Sequence, residues 1–405
     1  MWKKFICSIL IISSLFINLN IVIADDEDEE YNLSKIIEAV NQVDNEFNIN
    51  SKIAVAYDRT SGTVLWGKNE NKKTAMASTT KIMTAIVAIE NGKLADVVEI
   101  SAKAAGTGGS RLKIKKGDKI SLNDLLYGLM LVSGNDAAVA IAEHIGGSVE
   151  NFAELMNAKA KELGLQNTHF VTPHGLDNPE HYTTAFELAK IADYALKNEV
   201  FAKIVGTKNH TININGYSKA LTNTNELLGI LNGVTGVKTG FTNNAGRCLV
   251  TSVKRDGFEI ITVVLQADTK KIRTADSAHL IDYIYKNYEL VDINNIVDKE
   301  FEDWCLINKN KIEINKSGKG RLELYASNMN YKVFPIKKTE LDNIEIQISN
   351  VYYLEAPVEK DAILGTIKVM CNGKVIEVLE IRNKNRIEKK NICDYIDLFA
   401  IKLFT

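Results

Sequence analysis

Ser78-Thr79-Thr80-Lys81 leads directly into an apolar run that ends at a glycine, Ile82-Met83-Thr84-Ala85-Ile86-Val87-Ala88-Ile89-Glu90-Asn91-Gly92. Hydroxyl side chains at the start of such a run and a glycine at its end are the usual boundaries of an α-helix. Because the run is apolar on nearly every side, we expect the helix to be buried in the centre of a domain. Residues three apart share one face of a helix, so the spacing predicts that the Lys81 amine reaches the Ser78 hydroxyl.

Strand patterns lie on both sides of this helix. Residues 52–57 and 63–66 are rich in β-formers and flank a turn at 58–62, which predicts a hairpin. A second hairpin is predicted from residues 247–253 and 258–265, which flank a turn at Gly257. Helical patterns cover most of the interval and its end, at 121–147, 149–163, 184–198 and 277–288. Strands at both ends with helices between them predict an α/β domain over residues 31–290.

The pattern changes after residue 291. Apolar and polar residues alternate over 311–314, 321–325, 344–348, 365–369 and 374–378. Alternation at this density predicts a small all-β domain over residues 291–383.

The tail, residues 384–405, returns to helical spacing. Basic residues lie just before its apolar residues. The apolar residues that fall on one helix face are Ile392, Tyr395, Ile396, Phe399 and Leu403. This pattern suits an amphipathic helix that lies on an anionic membrane surface. The alternative is a helix packed on the β domain.

The N-terminus has the pattern of an export signal. A short basic start is followed by an apolar stretch at 5–24 and an acidic run at 25–30. We predict a secretory signal peptide over residues 1–24, cleaved after Ala24, and hence a protein that acts outside the cytoplasm, at the cell wall or the outer face of the membrane. An uncleaved membrane helix is the alternative, weakened by Asn18 and Asn20.

Composition excludes several other classes of protein. Hydrophobic residues make up 45% and charged residues 25% of the 405, which is ordinary for a globular protein. The net charge of −2 gives no basic excess, so we expect no nucleic-acid partner. The cysteines form no CxxC pair and the histidines no HExxH motif, so we expect free, mostly buried thiols and neither a metal nor a cofactor.

A second motif, Ser133-Gly134-Asn135, lies between two apolar helical runs. A polar triplet in that position predicts a turn, plausibly at a cleft. There Ser133 could relay a proton between Lys81 and a leaving amine, and Asn135 could hold Lys81 and a substrate amide. An ordinary turn between helices is the simpler interpretation of this motif alone.

A third motif, Lys238-Thr239-Gly240, follows an alternating strand pattern. An edge strand can pair with an extended peptide, and a glycine lets that peptide approach closely. Lys238 and Thr239 could bind a terminal carboxylate, and the backbone N–H groups of Phe241 and Ser78 could form an oxyanion hole. A plain edge strand with a surface lysine is the alternative.

Together the three motifs indicate serine nucleophilic catalysis. A serine hydroxyl is a weak nucleophile until a base removes its proton. Lys81 can be that base if burial and a neighbouring cation such as Lys238 lower its pKa. By itself, the first motif would more simply be a helix cap with a solvated lysine. In this order, the three motifs are the set found in β-lactamases and penicillin-binding proteins.

The chain resembles the D-alanyl-D-alanine carboxypeptidases, which are low-molecular-mass penicillin-binding proteins of bacterial cell-wall metabolism. Beyond the motifs, the likeness rests on segments 74–85, 131–138, 170–176, 223–225, 236–242 and 356–360. It implies a β-lactamase/DD-peptidase-like domain, an antiparallel sheet with helices on both sides, and a small C-terminal all-β domain. It also implies that Arg273 helps to bind the substrate carboxylate. Two positions depart from the family pattern, Glu187 where Asp is expected and Asp361 where Gly is expected.

The resemblance further implies the reaction. Ser78 would attack the carbonyl between the last two D-alanines of a peptidoglycan stem pentapeptide, and water would hydrolyse the acyl-enzyme. β-Lactam antibiotics would acylate Ser78 because their strained amide resembles this substrate. A serine β-lactamase and a non-catalytic wall-binding module are the alternatives. The C-terminal β domain argues against the first, and the three intact motifs argue against the second.

Overall fold

The computed structural model describes residues 32–42 and 47–404. The predicted signal peptide, residues 1–24, lies outside these ranges. Within them, no helix is both long and apolar enough to span a membrane.

The strands of the described chain are β1 (Ile53–Asp58), β2 (Val64–Lys68), β3 (Val97–Glu99), β4 (Lys119–Ser121), β5 (Asn209–Ile214), β6 (Tyr217–Thr222), β7 (Val234–Thr242), β8 (Gly246–Arg255), β9 (Phe258–Ala267), β10 (Tyr288–Asp292), β11 (Glu313–Asn315), β12 (Leu324–Ala326), β13 (Val333–Lys337), β14 (Ile344–Asn350), β15 (Tyr353–Glu355), β16 (Ile363–Cys371) and β17 (Lys374–Asn383). Its α-helices are α1 (Leu33–Gln42), α2 (Lys81–Asn91), α3 (Ala102–Ala105), α4 (Leu122–Leu131), α5 (Asn135–Gly146), α6 (Val149–Glu162), α7 (Ala185–Leu196), α8 (Glu199–Val205), α9 (Lys270–Asn287), α10 (Ile293–Asn308) and α11 (Ile392–Phe404).

The main sheet is antiparallel, with the strand order β2-β1-β9-β8-β7. Both predicted hairpins belong to it, and β1 pairs with β9, so the first and last strands of the domain lie side by side. The KTG-containing strand β7 pairs only with β8 among the described strands and forms an edge of the sheet.

Both faces of this sheet are covered. Ile53, Val55 and Tyr57 of β1 pack into one core with residues of α2, α4, α5 and α7. Ala54 and Ala56, which point to the opposite face, pack into a second core with α9. The predicted sheet with helices on both sides is therefore confirmed.

The helix predicted from the opening motif is the central helix of the larger core. Its residues from Lys81 to Ala88 are all buried, and α2 contacts α4, α5 and α7. Its apolar character on every side is what such a position requires.

The C-terminal region contains a four-stranded sheet with the order β12-β17-β16-β14. It also contains a helix that the alternation pattern did not predict, α10. Its buried residues, Ile293, Val297 and Phe301, recur four apart and pack into one core with Ile367 and Val369 of β16. Ile296, Trp304 and Cys305 of the same helix are partly buried against that core.

No disulfide joins the cysteines of the described chain. Cys248 and Cys371 are buried, Cys305 is half-buried and Cys393 is exposed.

Candidate active site

Ser78 lies in a short 3-10 turn, Ala77–Thr80, that leads into α2. Ala77 has φ +47°, a left-handed conformation that a residue with a Cβ seldom adopts. The hydroxyl of Thr79 donates to the Met76 carbonyl at 2.5 Å and helps to hold the turn. Ala77, Thr79 and Thr80 are buried whereas Ser78 is partly exposed, so only the serine of this turn reaches solvent.

The Lys81 side chain is fully buried and bridges three segments. Its Nζ donates to Ser78 Oγ at 2.8 Å, to Asn135 Oδ1 at 2.7 Å and to the His174 carbonyl at 3.0 Å. The Ser78 hydroxyl, the Asn135 amide oxygen and the His174 carbonyl can each accept a hydrogen bond from the amine. The structure thus brings the Ser–Lys pair and the Asn of the second motif into direct contact.

Ser133 and Asn135 occupy the turn between α4 and α5. Ser133 is buried and has φ +60°. Asn135 donates from Nδ2 to the Gly108 carbonyl at 2.8 Å, and its own N–H bonds the Ser110 carbonyl at 2.8 Å. A Cβ at Gly109 would lie 2.5 Å from Asn135 Nδ2, so this loop approaches Asn135 as closely as glycine permits.

Asp136 holds the chain that follows this loop. It is fully buried, and its carboxylate accepts the backbone N–H groups of Leu112 and Lys113, each at 2.7 Å, and of Ile114 at 3.2 Å. Buried carboxylates need such partners. Segment 108–114 therefore supports the second motif.

The third motif runs along β7 beside the nucleophile turn. A Cβ at Gly240 would lie 3.0 Å from the Ser78 nitrogen, so glycine allows this close approach. Lys238 is buried, and its Nζ donates to the Thr239 carbonyl at 3.0 Å. The Arg247 guanidinium stacks on the Phe241 ring, with its Cζ atom 3.8 Å from the ring centroid.

Thr239 and Arg273 both contact segment 223–226. The hydroxyls of Thr239 and Thr224 are 2.8 Å apart, and Arg273 Nη2 lies 3.2 Å from a Glu226 carboxylate oxygen. Arg273 is only 1% exposed, and its Nε has no hydrogen-bond partner within the described chain. Two of the three residues expected to bind a substrate carboxylate therefore adjoin one short segment.

Sequence reasoning missed the contribution of His174. The His174 carbonyl accepts a hydrogen bond from Lys81, and burial together with the Lys81 charge lowers the pKa of the His174 ring to about 3. The motif Pro173-His174-Gly175 was the available signal, but a main-chain carbonyl leaves no trace in residue type.

Both departures from the family pattern have a structural role. Glu187 accepts the N–H groups of Gln166 and Asn167 at 2.9 and 3.0 Å, and ties the loop before α7 to its first turn. Asp361 has φ +62°, where glycine is favoured, and its side chain accepts from the Tyr325 hydroxyl at 2.8 Å.

Across residues 32–42 and 47–404, no group of three or more His, Cys, Asp or Glu side chains is arranged to hold a metal ion. The chemistry available at the cleft is that of a Ser–Lys pair, a neighbouring amide and a cationic edge strand. On this fold, those features define the class of serine enzymes that contains β-lactamases and penicillin-binding proteins.

Comparison with known proteins gives the family. A family model described as D-alanyl-D-alanine carboxypeptidase matches residues 39–269, and one described as penicillin-binding protein 5, C-terminal domain, matches residues 301–389. The chain therefore belongs to the D-alanyl-D-alanine carboxypeptidase family.

Individual relatives agree with this assignment. The chain is 35% identical to D-alanyl-D-alanine carboxypeptidase DacF of Bacillus subtilis, over 85% of this chain and 88% of that protein. It is 33% identical to D-alanyl-D-alanine carboxypeptidase DacA of Escherichia coli, over 91% of each. Among solved structures, penicillin-binding protein 5 of Haemophilus influenzae matches with a TM-score of 0.68 and 28% identity, over 85% of this chain and 99% of that one. The Streptomyces K15 DD-transpeptidase matches with a TM-score of 0.57 and 35% identity, over 59% of this chain and 98% of that one.

The protein is thus a serine-type D-Ala-D-Ala carboxypeptidase that binds penicillin. Its substrate is the peptidoglycan stem peptide, and β-lactams are its ligands. The β-lactamase and wall-binding alternatives are not favoured.

Proposed function

We propose that this carboxypeptidase releases the terminal D-alanine through an acyl-enzyme on Ser78, with Lys81 as the base. The observation that carries the proposal is the set of three contacts at Lys81 Nζ. Two of its partners, Asn135 Oδ1 and the His174 carbonyl, can only accept protons. A neutral amine that donates to both of them directs its lone pair at the Ser78 hydroxyl.

Acylation then follows from the position of the turn. The Ser78 Oγ–H bond breaks as its proton moves to Lys81 Nζ, and Oγ bonds to the D-Ala carbonyl carbon. The carbonyl oxygen becomes negatively charged and would be stabilised by the N–H groups of Ser78 and Phe241. The close approach of Gly240 to the Ser78 nitrogen supports this pairing of donors.

Ser133 would return the proton to the leaving group. The nitrogen of the departing D-alanine must gain a proton as its bond to the carbonyl carbon breaks. Ser133 is buried two residues before Asn135, which contacts Lys81, so a hydroxyl there could pass the proton on from Lys81. Lys81 could then accept a proton from the water that hydrolyses the acyl-enzyme.

Lys238, Thr239 and Arg273 would bind the free carboxylate of the substrate. Bonds from charged donors to a carboxylate are among the stronger hydrogen bonds in proteins. The unpartnered Nε of Arg273 and the shared contact of Thr239 and Arg273 with segment 223–226 support this role. Gly240 lets β7 lie close to the nucleophile turn, since a Cβ there would be 3.0 Å from the Ser78 nitrogen.

The domain organisation is proposed as a catalytic domain over residues 31–290, a β domain over 291–383 and a C-terminal anchor over 384–405, after a signal peptide at 1–24. Contacts of the β domain continue past residue 383. Ile387 is buried and exchanges backbone hydrogen bonds with Val358, and the Lys390 N–H bonds the Lys316 carbonyl. The part of the tail proposed to meet the membrane is therefore α11, which begins at Ile392.

The exposed apolar face of α11 supports a membrane-surface role. Ile392, Ile396 and Phe399 are between 60% and 74% exposed, which is costly for side chains of this size unless something covers them. Lys389 and Lys390 precede the helix and could contact anionic headgroups. An exported enzyme held there would lie next to the wall on which its family acts.

One experiment tests the reaction directly. Release of D-alanine is measured from a pentapeptide that ends in D-Ala-D-Ala, with labelled penicillin as a parallel probe of acylation. We expect steady D-alanine release and a long-lived penicilloyl adduct. Rapid turnover of penicillin without D-alanine release would instead support a β-lactamase, and neither activity would support a binding module.

A further inference from the structure

A buried histidine contacts the nucleophile turn from behind. His181 is 3% exposed and lies on the segment between α6 and α7. Its Nε2 is 2.8 Å from Thr80 Oγ1, and Thr80 Oγ1 donates in turn to the Ala77 carbonyl at 2.8 Å. On its other side, His181 Nδ1 accepts the Val171 N–H at 2.9 Å.

The donor and the acceptor in each of these hydrogen bonds follow from the chemistry of the partners. A backbone N–H can only donate, so Nδ1 of His181 must be unprotonated. The proton of the neutral ring is then on Nε2, and it is donated to Thr80 Oγ1. The Thr80 hydroxyl proton is left for the Ala77 carbonyl, which can only accept.

The Ala77 carbonyl, at the end of this series of hydrogen bonds, matters for catalysis because the peptide group is planar. The Ala77 carbonyl and the Ser78 N–H belong to one rigid, planar peptide group. Holding the carbonyl therefore sets the direction of the N–H that is proposed to stabilise the oxyanion.

The backbone of the 3-10 turn Ala77–Thr80 and the Thr80 hydroxyl both hold this peptide group. Glycines lie beside it: a Cβ at Gly175 would be 1.9 Å from the Ala77 oxygen, and one at Gly240 would be 3.2 Å from the Ala77 Cβ. Backbone in the left-handed region, as at Ala77, is strained for a residue with a Cβ and persists only where its surroundings hold it.

We propose that His181 is a positioning residue for acylation, acting through Thr80 to orient the Ala77–Ser78 peptide group. This inference rests on the proposed role of Ser78 and its N–H. Conversion of His181 to a cation would place a second N–H against that of Val171 and break the arrangement. The ionisable groups around the ring are His169, His174, Lys73 and Asp177. Burial, assisted by His169, lowers the pKa of His181 to about 4, which keeps the ring neutral at the pH of ordinary growth.

The test is a double-mutant cycle on the full-length protein. His181→Phe keeps an aromatic ring beside Phe170 but removes both ring nitrogens, and Thr80→Val removes the hydroxyl at nearly constant volume. The measured quantity is the rate constant for acylation by labelled penicillin, together with kcat and KM for the pentapeptide. A first-order rate constant does not depend on how much of the sample is folded, so partial unfolding alone would not change it.

We expect each single variant to lower the acylation rate constant about 10-fold or more, below the 10²–10³-fold scale for complete loss of an oxyanion donor. The loss should fall on kcat, with KM little changed. The double variant should be no slower than the slower single variant, because both changes interrupt the same series of hydrogen bonds. His181→Gln should restore most of the rate, since its amide can accept from Val171 and donate to Thr80. Thr80→Ser should likewise stay close to wild type.

Several results would overturn the inference. These are a normal rate constant in Thr80→Val, additive losses in the double variant, or a slow His181→Gln variant that is folded. If His181→Phe does not fold, the comparison of Thr80→Val with Thr80→Ser still gives the answer. Failure of the proposed function looks different, because penicillin would then label Ser78→Ala as well.

Discussion

At the scale of single residues, the site is a buried amine surrounded by acceptors. Lys81 has one bond to its neighbour in the S-x-x-K motif and two bonds to segments about 50 and 90 residues further along the chain. The local bond is a property of helical spacing, whereas the two distant acceptors give the amine a defined orientation. Three predictions follow from individual side chains.

The first prediction concerns the nucleophile. Ser78→Ala removes the only atom proposed to form the acyl bond, so covalent labelling by penicillin should be abolished. The cost to folding should be small because Ser78 is partly exposed. Gel fluorescence with labelled penicillin, alongside a thermal unfolding curve, checks both statements. Persistent labelling would reject Ser78.

The second prediction concerns the base. Lys81→Ala should leave the protein folded but slow acylation by at least ~10²-fold, the scale for a lost general base. Lys81→Met, which keeps more of the buried volume, should show the same loss and guards against local collapse. Acylation near the wild-type rate in either variant would move the role of base elsewhere, with Ser133 as the next candidate.

The third prediction concerns recognition of the substrate carboxylate. Amidating the C-terminus of the pentapeptide should reduce kcat/KM. The fall should correspond to a loss of transition-state stabilisation of roughly 1.5–3 kcal/mol for each charge-assisted bond that is lost. Arg273→Leu should reduce activity on the free acid and narrow the difference between acid and amide. Lys270→Gln is a matched control, because Lys270 also pairs with Glu226 but has no proposed substrate contact. If Arg273→Leu prefers the free-acid peptide over the amidated peptide as strongly as the wild type does, Arg273 has no part in binding the carboxylate.

At the scale of elements, the segment between α6 and α7 joins several parts of the catalytic domain. It supplies the His174 carbonyl to Lys81 and the His181 ring to the nucleophile turn. Its bridge between Thr183 and Thr74 also joins it to the chain just before Ser78. Both histidines are held neutral, with pKa values lowered to about 3 and about 4 by burial.

The fourth prediction is that acid weakens this part of the fold. The unfolded chain binds protons at these two histidines below a pH of about 6.5, the unperturbed histidine value, whereas the folded chain does not until pH 4 or below. The free energy of unfolding should therefore fall as pH drops from about 6.5 towards 4, by roughly 2 kcal/mol per histidine at about pH 5. Urea unfolding at pH 7.5 and pH 5.0 measures this fall. In His181→Gln the fall should be smaller by about one histidine's share, and an equal fall in both proteins would contradict the assignment.

At the scale of the whole molecule, the catalytic domain is followed along the chain by the β domain and then by α11. The β domain buries Ile387, so the chain remains part of it almost to the start of α11. A truncation that tests α11 alone must therefore begin at residue 392, since an earlier one removes contacts of the β domain.

The fifth prediction is that deletion of residues 392–405 removes binding to anionic vesicles but leaves carboxypeptidase activity on soluble peptide unchanged. Vesicle sedimentation at low and high salt measures it, and binding of the full-length protein should be reversible and weaker at high salt. Ile396→Gln with Phe399→Gln is the matched variant that keeps the helix but alters its apolar face. If the truncated and full-length proteins sediment equally, or the truncation unfolds the β domain, α11 is not an anchor.

The sequence by itself was sufficient for whatever depends on a few neighbouring residues. The buried helix α2, the two hairpins of the main sheet and the Ser78–Lys81 contact all follow from spacing within one element, because helix and strand periods repeat every few residues. The order of the three motifs indicated the class that contains β-lactamases and penicillin-binding proteins, and further segments of the chain pointed to the family. Helix α10 was missed although its buried residues, Ile293, Val297 and Phe301, recur at helical spacing.

Only the tertiary structure showed how distant segments complete the site. No local pattern indicates that Gly108 supports Asn135, that the His174 carbonyl meets Lys81, or that His181 and Thr80 hold the Ala77 carbonyl. Main-chain groups carry no information about residue type, and the partners are separated by 27 to 101 positions in the chain. Such contacts depend on how whole elements pack around the core, which no short stretch of sequence can specify.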